Sequence, residues 1–385
     1  MDYLQEALAL LGELVAIPSV STEPAERDIG EYVARYCEAL DMRVERQYID
    51  ERRFNVIARA KVGAGTGKTV VLNSHMDVVP AAEGWNTDPF TLTVKNGRAY
   101  GRGATDAKGC LTALMIATKA ILENPGDTNG NVILTAVVDE ETNSRGARYL
   151  VEHGGISADY GIVGEPTESR VALGHNGSLR PFLVIHGRTA HSSTPDLGIS
   201  AVRVAAYISG LVDERQAMLR EVLHPTTGRP SISITILRAD VKENVLPDYC
   251  EMVIDRRMVP GEDEGEIIAD LEAMCRQAER EFPGARVEID HYLMTTGPAS
   301  EVKENSPVAR IACAACEAVT GEKQKPFGLT CNTDMNHFVR AGIPTVIIGP
   351  NIIDICHKPN EYVELEQLEK ACRVDESVMR ALMNS

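Results

Sequence analysis

The sequence predicts an α/β protein with a mostly parallel sheet carrying helices on both faces, plus an inserted α+β domain of ferredoxin-like plan. Three observations lead there. Over residues 1–177, short apolar β-branched runs alternate with amphipathic segments of helical period, the pattern of parallel strands joined by crossover helices. From about Ser178 the pattern becomes four strands and two helices in split βαβ order. A chain of 385 residues also exceeds one ordinary core. The expected division is a discontinuous domain, 1–177 with 293–385, around an insert over 178–292.

Each element has its own signal. Leu4, Leu8, Leu11 and Val15 share one face of a helix over 2–16 that stops at Ile17-Pro18. Thr22 can cap a second helix, with Pro24 in its first turn and Ile29, Val33, Tyr36 and Leu40 on its apolar face. Strands follow at about 43–48, 54–60 and 69–74. The linker 62–69 ends in Gly67-Lys68-Thr69, yet it has Val62 where a phosphate loop needs glycine, and it leads into a strand rather than a helix. It reads as a surface hairpin loop. Asn96-Gly97 is a hairpin turn signal, Lys108–Glu123 a helix, and Asn131–Val138 a buried central strand. A helix over 145–152 and a strand over 159–163 complete the first part. The insert places strands at 182–186, 231–237, 249–255 and 287–291, and helices at 199–213 and 264–281. A helix from Ser306, a strand over 345–348 and a helix over 365–383 close the chain.

The chemistry collects where these strands end. In Ser74-His75-Met76-Asp77, residues two apart on a strand point the same way, the geometry of a ligand and its orienting partner. The run from Gly101 to Gly109 reads as a tight loop that delivers Asp106 to the mouth of a helix. Asp139-Glu140-Glu141 follows one apolar strand, Gly164-Glu165-Pro166 another, and Cys356-His357-Lys358-Pro359 a third segment. Strand ends are where an open α/β sheet builds its ligand site. His75, Asp106, Glu141, Glu165 and His357 form a nitrogen and oxygen donor set suited to Zn²⁺ or its neighbours. With one carboxylate shared, they make two three-ligand positions, the composition of a two-metal hydrolase. Glu140 and Glu141 are adjacent and point opposite ways, so one can ligate while the other faces the attacking water.

The ordered motifs SHMDVVP, GRGATDAKG, DEET, GEPT and CHKPNE resemble those of the acetylornithine deacetylase and succinyl-diaminopimelate desuccinylase family of dinuclear zinc amidohydrolases and peptidases. The resemblance covers nearly the whole chain and implies a zinc-peptidase-like catalytic domain with a lid and dimerisation domain inserted. It implies that His75 and Glu165 bind one Zn²⁺, Glu141 and His357 the other, and Asp106 bridges them, with Co²⁺ or Mn²⁺ as substitutes. Glu140 is then the general base and Asp77 the carboxylate that orients His75. His191 resembles the lid histidine that donates to the developing oxyanion of the partner subunit's site, a contribution worth about 3–4 kcal/mol. Arg257, in the Asp255-x-Arg257-x-x-Pro260 element, is implied to clamp the substrate carboxylate bidentately, with Asn244 beside it. Asn332 belongs to the same expected substrate pocket. Around that pocket Cys356, the loop Thr330-Cys331-Asn332-Thr333-Asp334 and Gly349-Pro350-Asn351 depart from the family pattern.

The implied activity is hydrolysis of the amide of an N-acyl amino acid by a homodimer, closest to acetylornithine deacetylase. The alternatives are the desuccinylase, a dipeptidase or carboxypeptidase of the same family and, more remotely, a non-catalytic binding protein. Composition agrees. A net charge of −17 argues against nucleic acid and anionic membranes as partners. No apolar run reaches bilayer length, and the acidic start Met1-Asp2-Tyr3 lacks the basic region of a signal peptide, which points to the cytoplasm. Nine scattered cysteines are no disulfide framework; the pair Cys313 and Cys316 reads as helix core. His153, His175, His186, His224, His291 and His337 are expected on the surface or in structural roles.

Overall fold

The computed structural model describes residues 2–21, 26–239, 241–293, 295 and 297–385. The suggested cap at Thr22 and Pro24 lies outside them. Contacts divide the chain into two compact units, Met1–Gly174 with Glu301–Leu329 and Thr333–Ser385, and His175–Ser300 with Thr330–Asn332.

In chain order the first unit begins with α1 (Tyr3–Val15), α2 (Glu26–Ala39), β1 (Arg43–Asp50), β2 (Arg53–Val62), β3 (Thr69–His75), β4 (Thr93–Lys95), β5 (Arg98–Tyr100), α3 (Lys108–Glu123), β6 (Gly130–Val137), α4 (Arg145–His153) and β7 (Tyr160–Val163). After the short β8 (Gly174–His175) come β9 (Gly177–His186), β10 (Ala190–His191), α5 (Ala201–Leu219), β11 (Ser231–Arg238), β12 (Val245–Leu246), β13 (Tyr249–Met258), α6 (Glu264–Glu281), β14 (Arg286–Leu293) and the short β15 (Ser300–Glu301). The first unit ends with α7 (Pro307–Thr320), α8 (Met335–Arg340), β16 (Thr345–Ile347), β17 (Tyr362–Glu364) and α9 (Leu365–Met383).

The sheet of the first unit runs β1-β2-β6-β3-β7-β16. The pairs β6·β3, β3·β7 and β7·β16 are parallel, and β1·β2 and β2·β6 antiparallel. Adjacent strand residues reveal the layers. Phe54 packs against Gly30 of α2, whereas Asn55 donates to the Gly146 carbonyl of α4 at 2.9 Å. Neighbours on a strand face opposite ways, so helices lie on both faces. Every residue of β3 from Val70 to His75 is buried, as doubly covered strands require.

One loop expectation is overturned. β2 and β3 do not pair with each other; both flank β6, so 62–69 is a connection across the sheet and no hairpin. Lys68 O accepts the N–H of Asn131 at 3.0 Å, which fastens the connection to the start of β6. The turn at Asn96-Gly97 does join a hairpin, β4·β5, with φ of 52° and 75° as a type I′ turn demands. The short α8 and β17 had no periodic signal.

The second unit is a four-stranded antiparallel sheet, β11-β13-β9-β14, with α5 and α6 packed on it. Its core joins Leu183, Ile185, Ile208, Ile254, Leu271 and Met274. α5 runs past its expected end at Asp213 to Leu219, because 214–219 are good helix formers and Arg215 pairs with Asp270 of α6 at 2.8 Å.

Candidate metal centre

Strand ends of the first unit deliver the donor atoms. His75 closes β3 and is 1% exposed. Its Nδ1 donates to the main-chain carbonyl of Asp77 at 2.9 Å, so in the neutral ring the lone pair sits on Nε2. That Nε2 faces Asp106 Oδ1 at 3.1 Å and Glu165 Oε1 at 3.8 Å. The other oxygen of Asp106 lies 3.2 Å from His357 Nε2, which is also 3.0 Å from Glu141 Oε2. One donor atom each from His75, Asp106 and Glu141 falls within 4.8 Å of the others. The five expected ligands are thus joined by contacts of 3.8 Å or less.

Local backbone explains the delivery. Gly103, at φ 85°, turns the loop toward α3, and a side chain at Gly109 would stand 2.1 Å from the Ala104 carbonyl. Asp106 is followed by a cis peptide bond to Ala107. Glu140 and Glu141 follow β6 on a turn whose main-chain N–H groups both donate to the Asp77 carboxylate, at 3.1 and 3.0 Å.

Electrostatics show why this pocket suits cations. Six acidic side chains, Asp77, Asp106, Glu140, Glu141, Glu165 and Asp334, gather around two imidazoles. Burial raises Glu140 and Glu165 well above the ordinary range; His75 opposes this, while Asp334 raises Glu140 and Asp106 raises Glu165. Burial and the charge of Asp106 push Glu141 up to about 7. Burial would raise Asp106 too, but hydrogen bonds from His357 and His75 hold it far below the usual range. Hydrogen bonds to Asp106 and Glu141 lift His357 to about 10, and His75 is raised well above its ordinary value despite burial, by its bonds to Asp106 and Asp77. Without metal, the carboxylates beside both imidazoles favour their protonated forms. Divalent cations among these N and O donors would offset the carboxylates better, and the residues fit that group.

One expected contact is weaker than the sequence reading assigned. The Asp77 carboxylate lies 3.5 Å from His75 Nδ1, farther than its own carbonyl, so its principal partners are the N–H groups of Glu140 and Glu141. Glu361 and Arg102 have no role in the sequence expectation, although Arg102 lies in GRGATDAKG and Glu361 in CHKPNE. Buried Glu361 accepts the N–H of Thr105 at 2.9 Å and of Asp106 at 3.0 Å, and pairs with buried Arg102. Asp334 was also missed as a participant. It accepts from Ser144 at 2.6 Å and Asn73 at 3.1 Å, and burial lifts it to about 6. His337, expected on the surface or in a structural role, lies 3.0 Å from the same Ser144 hydroxyl.

His191, Asn244, Arg257 and Asn332 belong to the second unit. β10 pairs with β12, bringing His191 opposite Val245, one residue from Asn244, and the Asn244 carbonyl accepts Ser192 N–H at 3.0 Å. His191 is exposed, and its Nδ1 accepts the Ser193 N–H at 3.2 Å. Half-buried Arg257 donates to Asp255 at 2.7 Å, and Arg180 donates to the other oxygen of that carboxylate at 2.6 Å. Arg256 turns the other way, to Glu262. Asn332 spends its amide hydrogens on the carbonyls of Gly297 at 2.7 Å and Asn176 at 3.1 Å.

Known proteins resemble this chain over nearly its whole length. An acetylornithine deacetylase of Aliivibrio salmonicida is 28% identical over 95% of this chain and 96% of its own, and one of Proteus mirabilis is 29% identical over 94% and 93%. Among solved structures, the aminopeptidase PepT from Bacillus cereus superposes with a TM-score of 0.80 at 20% identity, covering 98% of each chain. Human carnosine dipeptidase 1 does so at 0.75 and 18%, covering 100% of this chain and 97% of that one; these likenesses show the fold. Residues 71–381, well over half of the sequence, match the model of peptidase family M20/M25/M40. The chain therefore belongs to peptidase family M20/M25/M40, a family of metal-binding hydrolases.

Proposed function

We propose that this protein is a dinuclear zinc amidohydrolase that removes the acyl group from an N-acyl amino acid, with N-acetyl-L-ornithine as the leading substrate. One observation carries the two-metal reading: the two oxygens of Asp106 each face a different imidazole, at 3.1 and 3.2 Å, the arrangement of a carboxylate shared between two ions. The acetylornithine deacetylases at 28–29% identity over nearly the full chain support the substrate class.

His75 and Glu165 would hold one ion, Glu141 and His357 the other, with Asp106 shared; Zn²⁺ is preferred, with Co²⁺ or Mn²⁺ as substitutes. Bound there, the ions would supply the positive charge that acidifies water and polarises the acyl carbonyl. Glu140 takes the proton of the attacking water and passes it to the leaving nitrogen. Its turn, tied to Asp77, keeps it aimed while Glu141 ligates. In neutral His191 the bond from Ser193 leaves the hydrogen on Nε2, the donor needed at the developing oxyanion. Arg257 and Arg180 share one carboxylate, Asp255, which leaves net positive charge for the substrate's carboxylate. Asn244 and Asn332 are proposed substrate contacts, the latter through its carbonyl oxygen.

The second unit is proposed as lid and dimerisation domain. Exposed Leu197, Val202, Met218, Leu223, Leu237 and Tyr249 all lie on it, apolar side chains of the kind a second copy would cover. The deciding experiment measures amine release from N-acetyl-L-ornithine, N-succinyl-diaminopimelate and several dipeptides with Zn²⁺- or Co²⁺-loaded protein, beside Glu140→Ala. Turnover of the acetyl substrate, lost in the variant, supports the proposal. Turnover of dipeptides alone replaces it with a peptidase, and failure to bind metal ends it.

A further inference from the structure

Asp106 and His357 reach the centre on loops far apart in the chain, and one buried ion pair joins those loops. Glu361 Oε1 accepts both Thr105 N–H and Asp106 N–H, at 2.9 and 3.0 Å, while its other oxygen pairs with Arg102. Arg102 has no exposed surface; its second terminal nitrogen lies 3.3 Å from the Pro80 carbonyl and 3.5 Å from that of His357. The Trp85 ring centroid lies 5.3 Å from the guanidinium carbon. Thr105 Oγ1 donates to the Tyr362 carbonyl at 2.5 Å and accepts from Asn351 at 3.0 Å, and Asn351 reaches the same carbonyl at 2.6 Å. Together these contacts bind 102–106 to 357–362. His357 itself sits at φ 66°, a left-handed conformation that its surroundings must hold.

A buried ion pair adds little net stability over an apolar pair of the same volume, and its better-attested use is to fix register. We propose that Arg102 and Glu361 are positioning residues that set the distance between the Asp106 carboxylate and the His357 ring, and so preassemble the position shared by Asp106, Glu141 and His357. This rests on the two-metal reading above. Loosening the pair leaves His75 and Glu165 on their own strand ends but lets the His357 loop drift from Asp106.

The test compares full-length wild-type protein with Glu361→Gln and Arg102→Lys. Zinc retained against graded chelator, the visible absorption of Co²⁺-loaded protein and far-ultraviolet circular dichroism are measured on each. Wild type is expected to retain two equivalents. In each folded variant one equivalent should dissociate about 10–100-fold more readily, with altered Co²⁺ bands, while the other stays. A merely structural pair would lower the melting temperature but leave both affinities and the bands unchanged, and that result overturns the proposal. If Glu361→Gln fails to fold, Arg102→Lys, which keeps the charge on Glu361 but loses the second arm, decides alone. A wild-type protein that binds no metal overturns the underlying reading and this proposal with it.

Discussion

One oxygen of the Asp77 carboxylate accepts the main-chain N–H of Glu140 at 3.1 Å, and the other accepts that of Glu141 at 3.0 Å. A residue at the end of β3 thereby holds the turn that follows β6. The proposed base and a proposed ligand both sit on that turn, so one carboxylate holds the backbone of both.

Replacing Asp77 with Ala should therefore reduce kcat by about 10–100-fold. Because the Nδ1 hydrogen of His75 goes to a main-chain carbonyl, zinc content should stay close to two equivalents. Steady-state kinetics with metal analysis checks this. Loss of metal in place of loss of kcat would mean that Asp77 acts mainly on the ligands, His75 and Glu141, and not on Glu140.

His191→Ala should lower kcat by about 10²–10³-fold, the effect of removing one oxyanion donor. The side chain is exposed, so thermal stability and metal content should not change. Melting curves recorded beside the kinetics test the pair of expectations, and unchanged kcat would return His191 to an ordinary loop residue.

Removing metal should destabilise the first unit, because its clustered carboxylates then repel each other inside the protein. Chelator is expected to lower the melting temperature, and added Zn²⁺ to raise it progressively, by about 2.7 kcal/mol of stability at a hundred times Kd. Differential scanning calorimetry across a zinc series reads this directly. A melting temperature indifferent to zinc would argue against the centre.

Asp375 on α9 is fully buried, and neither oxygen finds a hydrogen-bond donor among the described residues. Burial raises its carboxyl well above the ordinary range. The unfolded chain ionises this group near pH 4 while the folded one keeps its proton, so unfolding releases a proton in between. Stability contributed by the neutral group is full below pH 4 and is lost as pH rises toward the folded value. Asp375→Leu should stabilise the protein by about 1–3 kcal/mol at pH 8, and by less at pH 4. Urea melts at the two pH values test the sign; a larger gain at pH 4 would refute it.

Long periodic elements were legible in advance. Helices α3, α6 and α9 fall on their expected residues because each holds a helical pattern over a long run, of 16, 18 and 19 residues. The metal donors were legible for a different reason. His75 ends β3 and Glu165 lies two residues past β7, while Asp106, Glu141 and His357 sit in loops outside the strands, so each donor belongs to a short motif that keeps its identity in one dimension.

What the chain could not display is pairing between distant segments. The connection 62–69 looked like a hairpin because its flanks are two strands, yet hydrogen bonding places β6 between them. Asp77 looked like a partner for His75 through local spacing, but its shorter bonds go to Glu140 and Glu141, which follow β6. Arg102 and Glu361 are ordinary charges in sequence. Only folding buries them together and turns opposite charge into a clamp between loops. Local periodicity and strand-end chemistry, which depend on near neighbours, were thus determined by the sequence alone. Partner choice was decided by the tertiary structure, because burial and hydrogen-bond geometry select one contact among many that sequence leaves equivalent.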